Sequence, residues 1–135
     1  MVQFHSSRLG LVLRWSRLSQ SIYSMCIFYF PDIVTNVGSF YNIDTSVFQC
    51  PVNGLYLFSI SVETNEDYPI NAGIVKEGYD LLYAVAHLDD YEQGSTTVMV
   101  ECSASERVWV ECLTDGDRME QGRQSSFSGI LITRY

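Results

Sequence analysis

The sequence is poor in groups that do chemistry. It holds two histidines, His5 and His87, which stand 82 positions apart. His87 follows Val85-Ala86 at the end of a strand-like run, where a core or solvent-tipped imidazole is the ordinary occupant. Nucleophilic catalysis needs a serine or cysteine held by a base beside an oxyanion-binding turn. No Gly-x-Ser-x-Gly occurs, and Ser126-Phe127-Ser128-Gly129 has the residue types without the spacing. Gly-rich phosphate loops and His-Glu-x-x-His are absent as well. None of the four cysteines (Cys26, Cys50, Cys102, Cys112) forms a C-x-x-C pair, so neither a zinc ribbon nor a thioredoxin-type site is supported. The same four allow three full disulfide pairings, and spacing does not choose among them. None of the five asparagines opens an N-x-Ser/Thr sequon, and no Gly-X-Y repeat marks a collagen segment. The expectation is a protein that is not an enzyme and has no catalytic residues.

Basic residues are scarce where the chain is most acidic. All sixteen Asp and Glu lie from Asp32 onward, opposed there by Lys76, Arg107, Arg118, Arg123 and Arg134, a balance of −11. Such a body repels phosphate backbones, so nucleic acid is not an expected partner. A cationic partner or a divalent metal suits it better.

The first 31 residues contain no acid and three arginines, Arg8, Arg14 and Arg17. Their apolar stretch, residues 22–30, is too short for the roughly 20 residues that span a bilayer, so no transmembrane segment is expected. It ends in bulky Phe28-Tyr29-Phe30, unlike the small-residue site that closes a signal peptide. Residues 1–29 read as an irregular extension with room for a first strand, and residues 30–135 as the globular domain.

What is present is alternation. In Leu55-Tyr56-Leu57-Phe58-Ser59-Ile60-Ser61-Val62, one face collects Tyr56, Phe58, Ile60 and Val62 and the other Ser59 and Ser61, the period of a half-buried strand. Residues 97–102, 108–112 and 126–132 read the same way. Asn53-Gly54, Glu77-Gly78, Gln93-Gly94 and Asp115-Gly116 supply turn signals between runs, glycine allowing positive φ. No sustained helical stripe follows Asp32. Many short strands with frequent turns predict an all-β sandwich or barrel, with Phe48, Phe58, Val110 and Phe127 in its core.

One acidic run stands out, Asp89-Asp90-Tyr91-Glu92-Gln93 between two strands. Asp89, Asp90 and Glu92 are candidate calcium ligands because Ca²⁺ takes hard oxygens from loops. Three carboxylates fall short of the six to eight oxygens it needs, so backbone carbonyls or another subunit would complete the shell. A solvated acidic loop is the competing reading.

Several stretches together resemble the globular-head domain of complement C1q. Residues 30–38 with Tyr41-Asn42 look like its opening segment. Phe48-Gln49-Cys50-Pro51-Val52-Asn53-Gly54-Leu55-Tyr56-Leu57-Phe58 is similar to its F-x-x-P-x-x-G-x-Y-x-F signature. Residues 72–78 resemble the next strand and turn, and Arg107-Val108-Trp109-Val110 and residues 126–132 the last strands. The matches come in the family's order over about 105 residues. Val2-Gln3-Phe4-His5-Ser6 is a looser match to the family's first strand, which lies beside the C-terminal one.

The resemblance implies a ten-strand, two-sheet jelly-roll sandwich related to tumour necrosis factor, assembled as a homotrimer. It implies a secreted, extracellular protein that recognises ligands without catalysis. One form is lectin-like pattern recognition in innate immunity, with a glycan or microbial surface as partner. The alternative is a signalling ligand for a cell-surface receptor, cytokine- or synaptic-organiser-like. Asn36, Gly38, Phe48, Gly54, Tyr56, Phe58, Trp109, Phe127 and Gly129 match family positions of the core or the trimer interface. Some relatives hold calcium in the loop matching Asp89, Asp90 and Glu92, although Glu92 stands where those relatives place Asp.

Overall fold

The computed structural model describes residues 11–14, 26–30, 32–63, 70–86, 93–112 and 125–135. Among them there is no helix and there are eleven strands: β1 (Leu11–Arg14), β2 (Cys26–Ile27), β3 (Asp32–Asn36), β4 (Tyr41–Asn42), β5 (Val47–Gln49), β6 (Gly54–Glu63), β7 (Ile70–Lys76), β8 (Tyr79–Ala86), β9 (Gln93–Cys102), β10 (Arg107–Cys112) and β11 (Ser126–Arg134). One sheet runs β3-β1-β11-β6-β9 and the other β4-β5-β10-β7-β8, all pairs antiparallel. β7 takes one side of β10. β5 and β2 share the other, pairing with its Arg107 and Cys112 ends respectively. Eleven segments therefore fill ten strand positions, the jelly roll expected.

The strands form where side chains alternate. β6 buries Tyr56, Phe58, Ile60 and Val62 and leaves Leu55, Leu57, Ser59, Ser61 and Glu63 half-buried on its other face. Its register sets Phe58 between Val98 and Gly129, and Ile60 opposite Phe127. Inside, rings link into a spine: Phe28 meets Phe30 at 6.1 Å, Phe30 meets Phe127 at 6.0 Å, Phe127 meets Phe58 at 6.0 Å, and Phe58 meets Phe48 at 5.6 Å. Tyr56 stacks on Phe58 at 6.0 Å. Burying each ring contributes about 2–3 kcal/mol. Phe48, Phe58, Val110 and Phe127 all lie in this core.

Residues 1–29 supply a strand to each sheet. β1 lies between β3 and the C-terminal β11, with Leu13 opposite Phe127. β2 pairs with β10, and beyond it Phe28 donates its amide to the Val110 carbonyl at 2.8 Å and is fully buried. The place beside β11, for which Val2–Ser6 was the sequence candidate, is thus taken by Leu11–Arg14; residues 2–6 lie outside the described residues.

The glycine signals divide by cause. Glu77 (φ 48°) and Gly78 (φ 86°) make the two-residue turn of the β7–β8 hairpin, both left-handed as such a turn requires. Gly54 and Gly94, read as turn residues, are strand residues of β6 and β9. Gly54 is needed for space: a Cβ there would lie 2.4 Å from the Thr133 carbonyl oxygen. Asp115-Gly116 falls outside the described residues.

Candidate recognition surface

Where the sandwich is closed, its outer faces carry what a partner could meet. On the first sheet, β9 exposes Gln93, Ser95, Thr97, Met99 and Glu101, beside the half-buried Leu55, Leu57, Ser59 and Ser61 of β6. Cross-strand register sets Ser95 opposite Ser61 and Thr97 opposite Ser59. The hydroxyls bond in pairs: Ser95 Oγ donates to Ser61 Oγ at 3.0 Å and Thr97 Oγ1 to Ser59 Oγ at 2.8 Å. On the next strand Ser61 and Ser59 stand opposite Ser126 and Ser128. One half of this face is therefore hydroxylic. The other half is apolar, with Leu57, Met99 and Ile130 side by side; Met99 is 64% exposed.

The edge of the second sheet is apolar too. β8 is its terminal strand, and Tyr79, Leu82, Tyr83 and Val85 are all exposed, Tyr79 at 76%. A strand with one buried face would alternate. β8 does not, because the pairing slips between Ile74 and Val75, where Ile74 faces Leu82 and Val75 faces Asp80. Leu81 falls in the slip and packs on the core, while the neighbours on either side face out. These exposed side chains make the edge of the second sheet a candidate contact surface.

Charged groups among the described residues tie down the turns. The Glu77 carboxylate accepts the Arg107 amide at 2.6 Å and its guanidinium at 3.2 and 3.1 Å, which holds the left-handed Glu77 against β10. These hydrogen bonds from Arg107 hold the Glu77 carboxyl below its usual range. Lys76 Nζ reaches Glu106 at 3.2 Å and the Glu101 carbonyl at 2.9 Å. Hydrogen bonds to carboxylates push two phenols up: Tyr83 through Asp80 and Tyr135 through Glu101.

The described sequence-predicted residues sit in strands and turns. Asn36 bridges the β3–β4 connection: its Nδ2 donates to the Tyr41 carbonyl at 3.0 Å and its Oδ1 accepts the Tyr41 amide at 3.3 Å, around Gly38 at φ 86°. Phe48, Tyr56, Phe58 and Phe127 are at most 4% exposed within a single chain, so their rings present no surface to another subunit. Gly54 and Gly129 are buried in strands. Trp109 lies on the outer face of β10 and donates its Nε1 to Glu111 at 2.9 Å. Glu111, only 6% exposed, holds an outward position of an alternating strand, and its placement opposite Ile27 of β2 carries no signal in the sequence. Asp89, Asp90, Glu92, His5 and His87 lie outside the described residues. Among the described residues no three of His, Cys, Asp and Glu gather as a metal would require, and no helix is long and apolar enough to cross a membrane.

Two five-strand layers, Greek-key pairing and apolar outer strips define a jelly-roll domain of the tumour-necrosis-factor type. Solved structures share that fold. The globular domain of zebrafish complement 1qA protein superposes with a TM-score of 0.74 at 18% identity, covering 95% of this chain and 100% of that one. Murine APRIL at pH 8.0 does so with a TM-score of 0.66 at 13% identity, covering 88% and 94%. The family model for the C1q domain matches residues 14–132, and the chain belongs to that family. Protein HP-25 homolog 2 of Bos taurus is 29% identical over 105 residues, 76% of this chain and 48% of the relative. Protein HP-25 homolog 1 of Bos taurus is 28% identical over 105 residues, with 76% and 49% covered. The chain spans about half the length of these curated relatives.

Proposed function

We propose that this chain is a secreted, non-catalytic recognition protein that acts as a homotrimer, binding glycans or microbial surfaces in the lectin-like manner of innate immunity. The observation that carries the reading is the pair of apolar strips, Leu57-Met99-Ile130 on one sheet and Tyr79-Leu82-Tyr83-Val85 on the edge of the other. Exposed apolar strips on different sides of one chain suit a closed ring, in which the edge of each copy packs on the sheet face of the next. Family membership supports ligand recognition as the use of such a ring. Three copies of one weak site then act together, gaining affinity through multivalency. The acidic run Asp89, Asp90 and Glu92 is the calcium candidate of this reading.

Light scattering should give the mass of three chains, and Leu82→Asp combined with Met99→Asp should reduce it to one while leaving the circular dichroism unchanged. The trimer should be retained on a glycan and lipopolysaccharide panel, with chelator lowering retention if calcium takes part. A monomer mass for the unaltered chain, or no retention on any member of the panel, overturns the reading. Capture by a cell-surface receptor without carbohydrate binding would establish the signalling-ligand alternative in its place.

A further inference from the structure

Two cysteines distant in sequence meet at one end of the sandwich. Cys50 follows β5 of the second sheet, and Cys102 closes β9 of the first. The backbone around them is fixed. The Cys50 amide donates to the Glu106 carbonyl and its own carbonyl accepts from Ser105, both at 2.8 Å, while Cys102 stands opposite Gly54. Both are free and buried, 1% and 3% exposed, in one core cluster, and the Cys50 backbone is bonded to the turn that directly follows Cys102. Lys76, held at the Glu101 carbonyl and Glu106, places a cation near the pair.

We propose that Cys50 and Cys102 are a peroxide-responsive oxidation site, whose disulfide ties the two sheets together beside the Ser103–Glu106 turn. The Cys102 sulfur attacks one oxygen of hydrogen peroxide; the S–O bond forms, the O–O bond breaks, and the departing hydroxide takes up the Cys102 proton as water. The Cys50 sulfur then attacks the sulfenic sulfur, the S–S bond forms, and the S–O oxygen leaves as a second water with the Cys50 proton. Two thiols and one peroxide thus give one disulfide and two waters, the thiols oxidised and the peroxide reduced. The order follows from the neighbouring thiols' influence on each other, which pushes Cys50 up and draws Cys102 down and makes Cys102 the first nucleophile. Access for so small an oxidant needs only local opening of the turn, where Ser103, Ala104 and Ser105 are already exposed.

The test treats the full chain with hydrogen peroxide, quenches with an alkylating agent under denaturing, non-reducing conditions, and maps the peptides. The expected product joins the Cys50 and Cys102 peptides, with both alkylation sites lost. Cys50→Ala should stop at a Cys102 sulfenic acid that dimedone traps, and Cys102→Ala should yield neither cross-link nor adduct. Closing a loop of this length should raise the melting temperature of the oxidised chain by roughly 10 °C over the reduced one. Two thiols that survive peroxide, or an unchanged or lower melting temperature after oxidation, overturn the proposal. The unaltered chain decides the matter even if a variant fails to fold.

Discussion

Gly54→Ala tests whether the family glycine before the aromatic strand is there for its backbone freedom or for its lack of a side chain. Its φ is not left-handed, so an alanine pays no conformational penalty there. Space is the obstacle. The added Cβ would lie 2.4 Å from the Thr133 carbonyl oxygen, 2.8 Å from Leu131 Cδ1 and 3.2 Å from Arg134 Cα. Leu131 can rotate its methyl away. Thr133 O and Arg134 Cα are backbone of β11, paired with β6 at this point, and they move only by prising the two strands apart. Restoring an ordinary separation takes a shift of about 1 Å, and overpacking of this kind costs about 1–3 kcal/mol. At about 2 kcal/mol, the urea midpoint should fall by roughly 1 M and the melting temperature by about 6–10 °C. Gly78→Ala is the control, because its φ is 86° and nothing lies within 4 Å of the new Cβ. It should lose only the left-handed backbone penalty, about 1 kcal/mol. If Gly54→Ala unfolds at the wild-type midpoint, or Gly78→Ala proves the worse of the two, the steric account is refuted.

Two further outcomes follow from the core. Phe58→Ala removes the ring that stacks on both Tyr56 and Phe127 and meets Phe48 edge-on; it should cost about 3–5 kcal/mol in urea unfolding, and a loss under 1 kcal/mol would place the ring outside a packed core. Burial pushes the Tyr56 phenol up from 10.0 to about 12, with its hydroxyl donating to the Val52 carbonyl at 2.8 Å. The folded chain thus keeps the proton after the unfolded chain has lost it, so this contribution is complete below pH 10 and disappears as pH rises toward 12. Unfolding midpoints measured across that range should fall more steeply for wild type than for Tyr56→Phe, and equal slopes would contradict the shift.

The fold was legible where one face of a strand is buried and the other is not. β6 writes its period of two across ten residues because its inward positions are aromatic or branched and two of its outward ones are serine. The same rule fails where a strand is not read two faces at a time. β8 is apolar on both sides of its register slip, so its edge position and exposed Tyr79, Leu82, Tyr83 and Val85 could not be told from core by pattern. Glycine misled for a related reason. Sequence offers one letter for two physical needs, and at Gly78 the need is a left-handed turn while at Gly54 it is contact with a neighbouring backbone.

The candidate sites were less legible than the strands because they depend on pairing between distant segments. Cys50 and Cys102 are separated by most of four strands, and only the stacking of β5's sheet on β9's brings their thiols together. The Ser95–Ser61 and Thr97–Ser59 pairs likewise exist through the β6–β9 register, which a shift of one residue would turn inside out. The aromatic signature that identifies the family is thus spent on the inside of a single chain, fixing the frame. The outward positions of the same strands are free to vary, since alternation leaves residue choice there independent of the core. On β9 those positions are Ser95, Thr97, Met99 and Glu101, each standing one residue from a core-facing neighbour, so exchanging them should change binding or assembly without unfolding the domain.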